Sequence, residues 1–149
     1  ILQAEEAEDW VIATGVTTTV RDFVRLAFEQ VGIEVAFKGE GVDEKAFVKS
    51  IDQEKYSIAT GQKHPEPFEG NNEKRSTKNG QPAIGQEVLS VDPSYFRPTE
   101  VDLLIGDPSK AKNKLGWVPE HDLDSLVNDM MKGDILLMKK DVDLLKAGY

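Results

Sequence analysis

The strongest pattern in the sequence is a stripe of apolar residues, spaced three and four apart, that runs from Val20 to Val31. This spacing is typical of one face of an amphipathic helix. Thr19, with Asp22 three residues later, resembles a capping box at the start, and Gly32 suits a left-handed cap at the end. The sequence therefore predicts a helix bounded by Thr19 and Gly32.

Five short apolar or alternating runs predict β-strands. Residues 10–13 are apolar on both faces, which is typical of a buried strand. Residues 33–38 alternate between apolar and polar side chains, so one face should be exposed. Residues 46–51 could pair with them as a hairpin. Residues 87–91 and 101–105 complete the predicted strands.

Three further helical segments are predicted in the last third of the chain, the last of them from residue 135 onward. Asp107 as the N-cap and Pro108 at the first helical position predict a short helix, which Gly116 ends. Asp122 is expected to cap another amphipathic helix, which the glycine and aspartate at 133–134 should break or recap. The order of elements predicts a mixed α/β fold, with a small mixed sheet and flanking helices.

Residues 52–86 differ from the rest of the chain. They contain three prolines and four glycines but few apolar residues, so we expect a long polar loop or insertion with at most short local structure. At 149 residues a single domain is the default, and we take residues 1–149 as one domain that contains this loop. Because the chain begins at Ile1 rather than methionine, it could be a trimmed protein or a piece of a longer one.

The composition narrows the classes of partner. A formal net charge of −9 and a pI of about 4.7 disfavour nucleic acid, which needs a basic surface. The absence of cysteine excludes disulfide scaffolds and thiolate metal sites, and two histidines, His64 and His121, make an imidazole-rich metal centre improbable. No apolar run approaches the length of a membrane span. The expected protein is an acidic cytoplasmic domain.

The standard catalytic motifs are missing from the sequence. Gly39 and Gly41 flank a turn but lack the third glycine and the following helix of a dinucleotide-binding fingerprint. There is no nucleophile elbow, and no tyrosine is followed by a lysine four residues later. Residue patterns alone therefore predict no catalytic, cofactor-binding or metal-binding residue in this chain.

One short segment has residue types suited to binding a nucleotide. Arg97 precedes Pro98, and Glu100 follows three positions after the arginine. An arginine can hold a phosphate through two parallel hydrogen bonds, and a carboxylate can accept hydrogen bonds from a ribose diol. The alternative is a surface ion pair worth about 0–1 kcal/mol, and the spacing alone favours that alternative. Trp117 is expected to pack under a helix rather than to stack on a ligand.

Several longer motifs carry a resemblance to a known family. The more general motifs are Val11-Ile12-Ala13-Thr14-Gly15 with residues 19–24, and residues 107–111 with Leu115-Gly116-Trp117-Val118-Pro119. The more specific ones are Gly41-Val42-Asp43-Glu44-Lys45, residues 91–101, and Leu104-Ile105-Gly106-Asp107-Pro108. Together these motifs resemble the extended short-chain dehydrogenase/reductase family, and within it the GDP-mannose 4,6-dehydratases. The resemblance covers most of the chain except about residues 52–86, which are longer than the usual connection.

The resemblance implies that the chain is the C-terminal, substrate-binding domain of such an enzyme, with the Rossmann domain absent. In that family NADP and the catalytic residues belong to the N-terminal part, so no catalytic or cofactor-binding residue is expected here. Arg97 and Glu100 match the family's positions for binding the pyrophosphate and the nucleoside ribose. Given the resemblance, we therefore prefer a binding role for both residues over a surface ion pair.

The resemblance also implies a reaction, in which GDP-mannose becomes GDP-4-keto-6-deoxymannose and NADP carries the hydride. We expect the chain alone to be inactive. Its expected partners are GDP-mannose, its own N-terminal Rossmann domain, and further copies in a homodimer or homotetramer. Two alternatives stay open: the same domain of a related nucleotide-sugar epimerase or dehydratase, and a non-enzymatic interaction module that uses residues 52–86 or the C-terminal helix.

Overall fold

The computed structural model describes residues 6–61, 82–99 and 104–148. The helices of this part are α1 (Val20–Gln30), α2 (Gln53–Thr60), α3 (Ser109–Leu115) and α4 (Leu123–Lys146). The strands are β1 (Ile33–Lys38), β2 (Lys45–Ile51) and β3 (Glu87–Ser90). Helices flanking a small sheet confirm the predicted mixed α/β class. No helix in the described part of the chain combines the length and the apolarity needed to cross a bilayer.

The sheet is built on the hairpin that the alternating pattern predicts. β1 and β2 pair antiparallel, with Val35 opposite Val48, and β2 pairs antiparallel with β3. The register of the hairpin shifts between Glu34 and Val35. A short 3-10 turn, Gly41–Asp43, lies in the connection between the two strands. Strand order therefore follows chain order, as β1-β2-β3.

The core lies on one face of this hairpin. Side chains two residues apart point to the same face of a strand, and Ile33 with Val35 and Ala46 with Val48 are all buried. Tyr56 of α2 completes the cluster, and partly buried residues of α1, β1 and β3 pack around it. Burying an aliphatic side chain of this size contributes about 1.5–3 kcal/mol, so the hairpin face carries much of the stability.

Both ends of α1 lie where the sequence predicts them. The Thr19 hydroxyl accepts a hydrogen bond from the Asp22 amide at 3.1 Å and donates one to the Asp22 carboxylate at 2.6 Å. Gly32 follows the helix with φ of +74°, and a side chain there would meet the Asp52 carbonyl oxygen at 2.8 Å. The capping residues thus confirm the predicted boundaries, and glycine is required at the exit because β1 begins at once.

The predicted strand at residues 10–13 is wrong. These residues form no strand in the described part of the chain, and Val11 and Ile12 are 48% and 47% exposed. Their neighbour is the segment around Gly106, where a methyl group would approach the Ala13 Cβ to 2.6 Å. Apolar character on both faces predicts burial, but a strand also needs a partner for its main-chain groups, which the pattern does not specify.

The predicted strand at residues 101–105 lies only partly within the described residues. Leu104 and Ile105 do not form a strand, and residues 101–103 lie outside the described part. The Thr17 hydroxyl donates to the Leu104 carbonyl at 3.4 Å, so this segment also runs beside the start of the chain.

The helix α3 begins one residue later than the sequence predicts. Pro108 occupies the N-cap position rather than the first helical position, and the Asp107 carboxylate accepts from the Ser109 amide at 2.9 Å. The aspartate therefore closes a turn before the helix instead of capping it. Gly116 ends the helix with φ of +67°, as predicted.

The predicted break in the last helix is also wrong. α4 runs for 24 residues, and Gly133 and Asp134 lie within it. Asp122 caps its start as predicted, accepting from the Ser125 amide at 2.9 Å. A single glycine in a helix destabilises it by about 1 kcal/mol relative to alanine, which is too little to end a helix with good helix formers on both sides.

The segment 52–86 begins with regular structure. The Asp52 carboxylate accepts from the Lys55 amide at 3.0 Å and so caps the eight-residue helix α2. Residues 62–81 lie outside the described part of the chain, so most of the expected long loop is not described. The helix puts Tyr56 into the core, which the polar composition of the segment does not predict.

Candidate functional site

The segment that carries Arg97 leaves the sheet directly after β3. The Val91 amide donates to the Glu44 carbonyl at 3.2 Å, one residue beyond the end of the strand. The Asp92 carbonyl then accepts from the amides of Tyr95 and Phe96, each at 3.1 Å. The chain therefore turns sharply beside the loop end of the hairpin, just before Arg97.

The Asp92 side chain closes this turn from inside. One carboxylate oxygen accepts from the Ser94 amide at 2.8 Å and from the Ser94 hydroxyl at 2.7 Å. These bonds stabilise the ionised carboxylate and lower the pKa of Asp92, the hydroxyl having the larger effect. Such a turn holds the backbone in a narrow range of conformations before Arg97 is reached.

A contact between Phe96 and the hairpin connection anchors the other side of the turn. A methyl group on Gly41 would lie 3.5 Å from Cζ of Phe96, so the outer edge of the ring lies next to the glycine. Phe96 is 40% exposed, while Tyr95 is 83% exposed and Arg97 is also exposed. The structure thus places Arg97 on the surface, at the loop end of the hairpin, after a turn held at two points.

Two arginines of α1, each paired with a carboxylate, lie at the same end of the hairpin. Arg21 forms an ion pair with Glu44, and this carboxylate raises the pKa of the guanidinium. Arg21 and Arg25 both lie over the Phe37 ring, with guanidinium carbons 5.9 and 5.4 Å from its centroid, a distance typical of cation–π contacts. Sequence reasoning missed this group because Phe37 and Glu44 lie at least 12 positions after the two arginines, and no local pattern links them.

The other candidate residues are less informative. Glu100 and His64 lie outside the described residues, so the binding role expected of Glu100 stays a prediction. His121 is exposed beside the helix cap Asp122, and Trp117 is partly buried after α3. No group of three or more histidine, aspartate or glutamate side chains in the described ranges could hold a metal ion.

The clearest surface depressions lie at the opposite end of the hairpin from Arg97. One, of about 190 Å³, is lined by Asp52, Glu54, Lys55 and Ile58. The other, of about 290 Å³, is lined by Glu29, Gly32, Ile33, Glu34, Ser50, Asp52 and Lys55. Both are shallow and open, and neither includes the turn that carries Arg97.

A second ion cluster attaches the start of the chain to α3. The Glu8 carboxylate lies 2.7 Å from Nζ of Lys110 and 2.8 Å from Nζ of Lys114. Hydrogen bonds from Lys110 and then Lys114 lower the pKa of Glu8 from 4.5 to about 2. Lys110 also donates to the Asp9 carbonyl at 2.9 Å and lies over the Trp10 ring. One acidic residue thus fixes a segment that is more than 100 positions away in the sequence.

Comparison with known proteins gives a consistent match. A family model described as GDP-mannose 4,6 dehydratase matches residues 1–72 and 62–130. The GDP-mannose 4,6-dehydratase of Yersinia enterocolitica is 42% identical over 147 residues, and that of Vibrio cholerae O1 is 41% identical over 149 residues. The Drosophila melanogaster enzyme of the same name is 40% identical over 141 residues. These matches confirm the family resemblance that the sequence motifs carry.

The matches cover this chain almost completely but each relative only in part. They include 99%, 100% and 95% of this chain, and 33%, 34% and 27% of the three relatives. The chain therefore spans about a third of the length of these proteins. This partial coverage agrees with the prediction that the sequence corresponds to the C-terminal portion of such an enzyme.

Proposed function

Because the chain belongs to the GDP-mannose 4,6-dehydratase family, we propose that it acts as the sugar-nucleotide-binding part of such an enzyme, with GDP-mannose as its substrate. The remaining two-thirds would hold the cofactor and the groups that carry out the dehydration. The observation that carries this proposal is the position of Arg97, which is exposed after a turn fixed by Asp92 and by the Phe96–Gly41 contact.

In this proposal Arg97 binds the pyrophosphate of the sugar nucleotide. Its planar guanidinium can donate two parallel hydrogen bonds to phosphate oxygens, which fixes both the position and the orientation of the group. The fixed turn reduces the conformational freedom that binding would otherwise remove, so more of the interaction energy remains as affinity. Arg21 and Arg25 lie at the same end of the hairpin, but each is paired with a carboxylate, so the proposed phosphate contact rests on Arg97.

Glu100 is proposed to accept hydrogen bonds from the nucleoside ribose. It follows Arg97 by three residues in the sequence, and a carboxylate is suited to a diol whose two hydroxyls both donate. Gripping the pyrophosphate and the ribose together would orient the mannose, which lies at the other end of the substrate. Orientation of this kind lowers the barrier of the chemical step without contributing a reacting group.

The cofactor of this proposed enzyme is NADP, which supplies hydride transfer when bound. The chain has no glycine-rich strand–turn–helix motif suited to a dinucleotide, so we assign NADP to the N-terminal Rossmann domain. The chain by itself would then be catalytically inactive. The complete enzyme is expected in the cytoplasm, as a homodimer or homotetramer.

Isothermal titration calorimetry with GDP and the 149-residue chain tests the proposed contact between Arg97 and the pyrophosphate. Loss of a charge-assisted contact to phosphate removes about 1.5–3 kcal/mol, so Arg97→Ala should raise the Kd roughly 10- to 100-fold. Lys140→Ala is the matched control, because it removes one exposed positive charge from α4, and its Kd should equal that of the unmodified chain.

The same pair of variants in the full-length enzyme separates a wrong assignment from a missing domain. There Arg97→Ala should raise the KM for GDP-mannose by a similar factor, while Lys140→Ala leaves it unchanged. Equal KM values for Arg97→Ala and the unmodified enzyme would contradict the role of Arg97. Turnover of GDP-mannose by the 149-residue chain would contradict the assignment of catalysis to the remaining part.

A further inference from the structure

The C-terminal part of α4 carries an apolar line whose last three residues are exposed. The line consists of Met131, Ile135, Met138, Val142 and Leu145, and we name it the C-terminal seam. α4 packs against α1, and Met131 and Ile135 are partly buried. Met138, Val142 and Leu145 are 64%, 44% and 72% exposed. Exposure of this kind marks a surface that is suited to a partner.

The spacing of the seam is that of a coiled coil. Its members are four, three, four and three residues apart, which is the heptad repeat of a and d positions. The a positions are Ile135 and Val142, which are β-branched, and the d positions are Met131, Met138 and Leu145. β-Branched residues at a favour parallel pairs when leucine occupies d, and only Leu145 meets that condition, so the orientation is argued from the charged edges.

Charged residues border the seam with the same period of seven. One edge, the e positions, carries Lys132, Lys139 and Lys146, and the other edge, the g positions, carries Asp134 and Asp141. All five are exposed. The seam therefore separates a basic edge from an acidic edge along the same helix.

This arrangement distinguishes between the two orientations in which a pair of identical helices can meet. In a parallel pair each g position faces the e position five residues later in the partner, so Asp134 meets a Lys139 and Asp141 meets a Lys146. In an antiparallel pair like edges meet, which places lysine beside lysine and aspartate beside aspartate. Only the parallel pair is electrostatically complementary.

We infer that the C-terminal seam is a self-association surface, on which a second copy of this chain binds through a parallel, in-register helix pair. The charge pattern on both edges selects a copy of the same helix as the partner, and it does not depend on the proposed sugar-nucleotide site. The fully exposed part is short, so the interaction belongs to the class of small, transient interfaces.

Two contacts within the chain compete with this pairing. Nζ of Lys139 donates to the Ala59 carbonyl at the end of α2, at 3.0 Å. Lys146 lies 4.0 Å from Asp143 in the same helix, and both side chains are more than 70% exposed. An exposed contact of this kind is worth little, so Lys146 can exchange it for an Asp141 of the partner. The Asp141–Lys146 pair is therefore the better test of the two.

Sedimentation equilibrium of the 149-residue chain, from about 10 μM to 1 mM, measures the association. Leu145→Lys places a charge in the seam and should raise the dimer Kd at least 10-fold. Leu136→Lys is a matched control, because Leu136 is 71% exposed in the same helix but lies on the opposite face. Its Kd should stay within threefold. A monomer at every concentration, or equal effects of the two variants, would overturn the proposal. The seam would then contact a different surface, such as the rest of the enzyme.

Charge exchange tests the orientation. Asp141→Lys and Lys146→Glu should each raise the Kd several-fold, because each creates a like-charged contact, and the double variant should restore it. Failure of the double variant to recover would exclude the parallel pair.

The chain has no cysteine, so disulfide cross-linking through Val142→Cys gives an independent test of the geometry. Val142→Cys should form a disulfide-linked dimer on mild oxidation, whereas Leu136→Cys should not, and equal cross-linking of both would contradict the in-register geometry.

Discussion

The Val91 amide donates to the Glu44 carbonyl at 3.2 Å, and the Glu44 side chain pairs with Arg21 of α1. A single residue of the hairpin connection thus links the strand that leads to Arg97 with the helix that covers the core. The main-chain bond continues the pairing of β2 with β3 past the last strand residue. The position of Arg97 is therefore set by the sheet itself, and it should respond to changes in the hairpin connection.

The hairpin connection depends on Gly39. Its φ is +82°, and a methyl group there would lie 2.3 Å from the Asp43 carbonyl oxygen. Gly39→Ala should therefore destabilise the chain by about 3 kcal/mol or more, through the unfavourable φ and the clash together. Urea unfolding followed by circular dichroism measures the change.

Gly85→Ala is the control, because Gly85 also has a φ of +82° but a methyl group would find no atom within 4 Å. Gly85→Ala should lower the free energy of unfolding by only about 1–2 kcal/mol, which is the cost of the positive φ without a clash. Equal losses for the two variants would show that the connection relaxes to relieve the clash.

The core on the hairpin face should be sensitive to small deletions. Val48 is 2% exposed, so Val48→Ala removes buried apolar surface and leaves a cavity, and we expect a loss of about 2–3 kcal/mol in the free energy of unfolding. Val16→Ala changes the same side chain at a position that is 73% exposed, and its loss should stay below about 0.5 kcal/mol. Urea unfolding of both variants checks the difference, and similar losses would place the core elsewhere.

The Glu8 ion cluster should make stability depend on pH. Pairing with Lys110 and Lys114 lowers the pKa of Glu8 from 4.5 to about 2 in the folded chain. The folded state therefore favours the ionised form, and the stabilisation is complete above about pH 4.5 and is lost as the pH falls toward 2. Glu8→Gln should lower the Tm at pH 7. The difference in Tm between this variant and the unmodified chain should be smaller at pH 3.

NMR titration of the Glu8 carboxyl carbon measures the same property directly. Glu120→Gln serves as the control, since Glu120 is exposed outside any helix and the structure shows no ion pair for it among the described residues. The change in Tm that it causes should be small at both pH values. A difference in Tm for Glu8→Gln that is the same at both pH values would contradict the ion cluster.

The continuity of α4 can be tested at its glycine. Gly133 lies inside the helix, and a methyl group there would meet no atom within 4 Å. Gly133→Ala should therefore stabilise the chain by about 0.5–1 kcal/mol, because alanine loses less conformational entropy in a helix. Thermal unfolding by circular dichroism would show an increase in Tm. A decrease would indicate that the helix bends or ends at this residue.

Local sequence patterns determined those elements whose ends depend on neighbouring residues. The start of α1 follows from Thr19 and its exit from Gly32, because a cap needs only groups within four residues. The hairpin of β1 and β2 follows from alternation, since side chains two apart share a face. Arg97 could be proposed from its residue type and neighbours, and the family motifs strengthened that proposal.

Only the tertiary structure decided which segments lie together. Residues 10–13 carry the composition of a strand, yet their surroundings depend on the segment around Gly106, which is more than 90 positions later. Nothing in the sequence distinguishes Glu8, Arg21 and Glu44 from other charged residues. They form ion pairs between distant segments because folding brings their partners close. Spacing along a chain reports the periodicity of one element. The contacts between elements depend on packing and desolvation across the whole fold, and a short stretch of sequence does not contain that information.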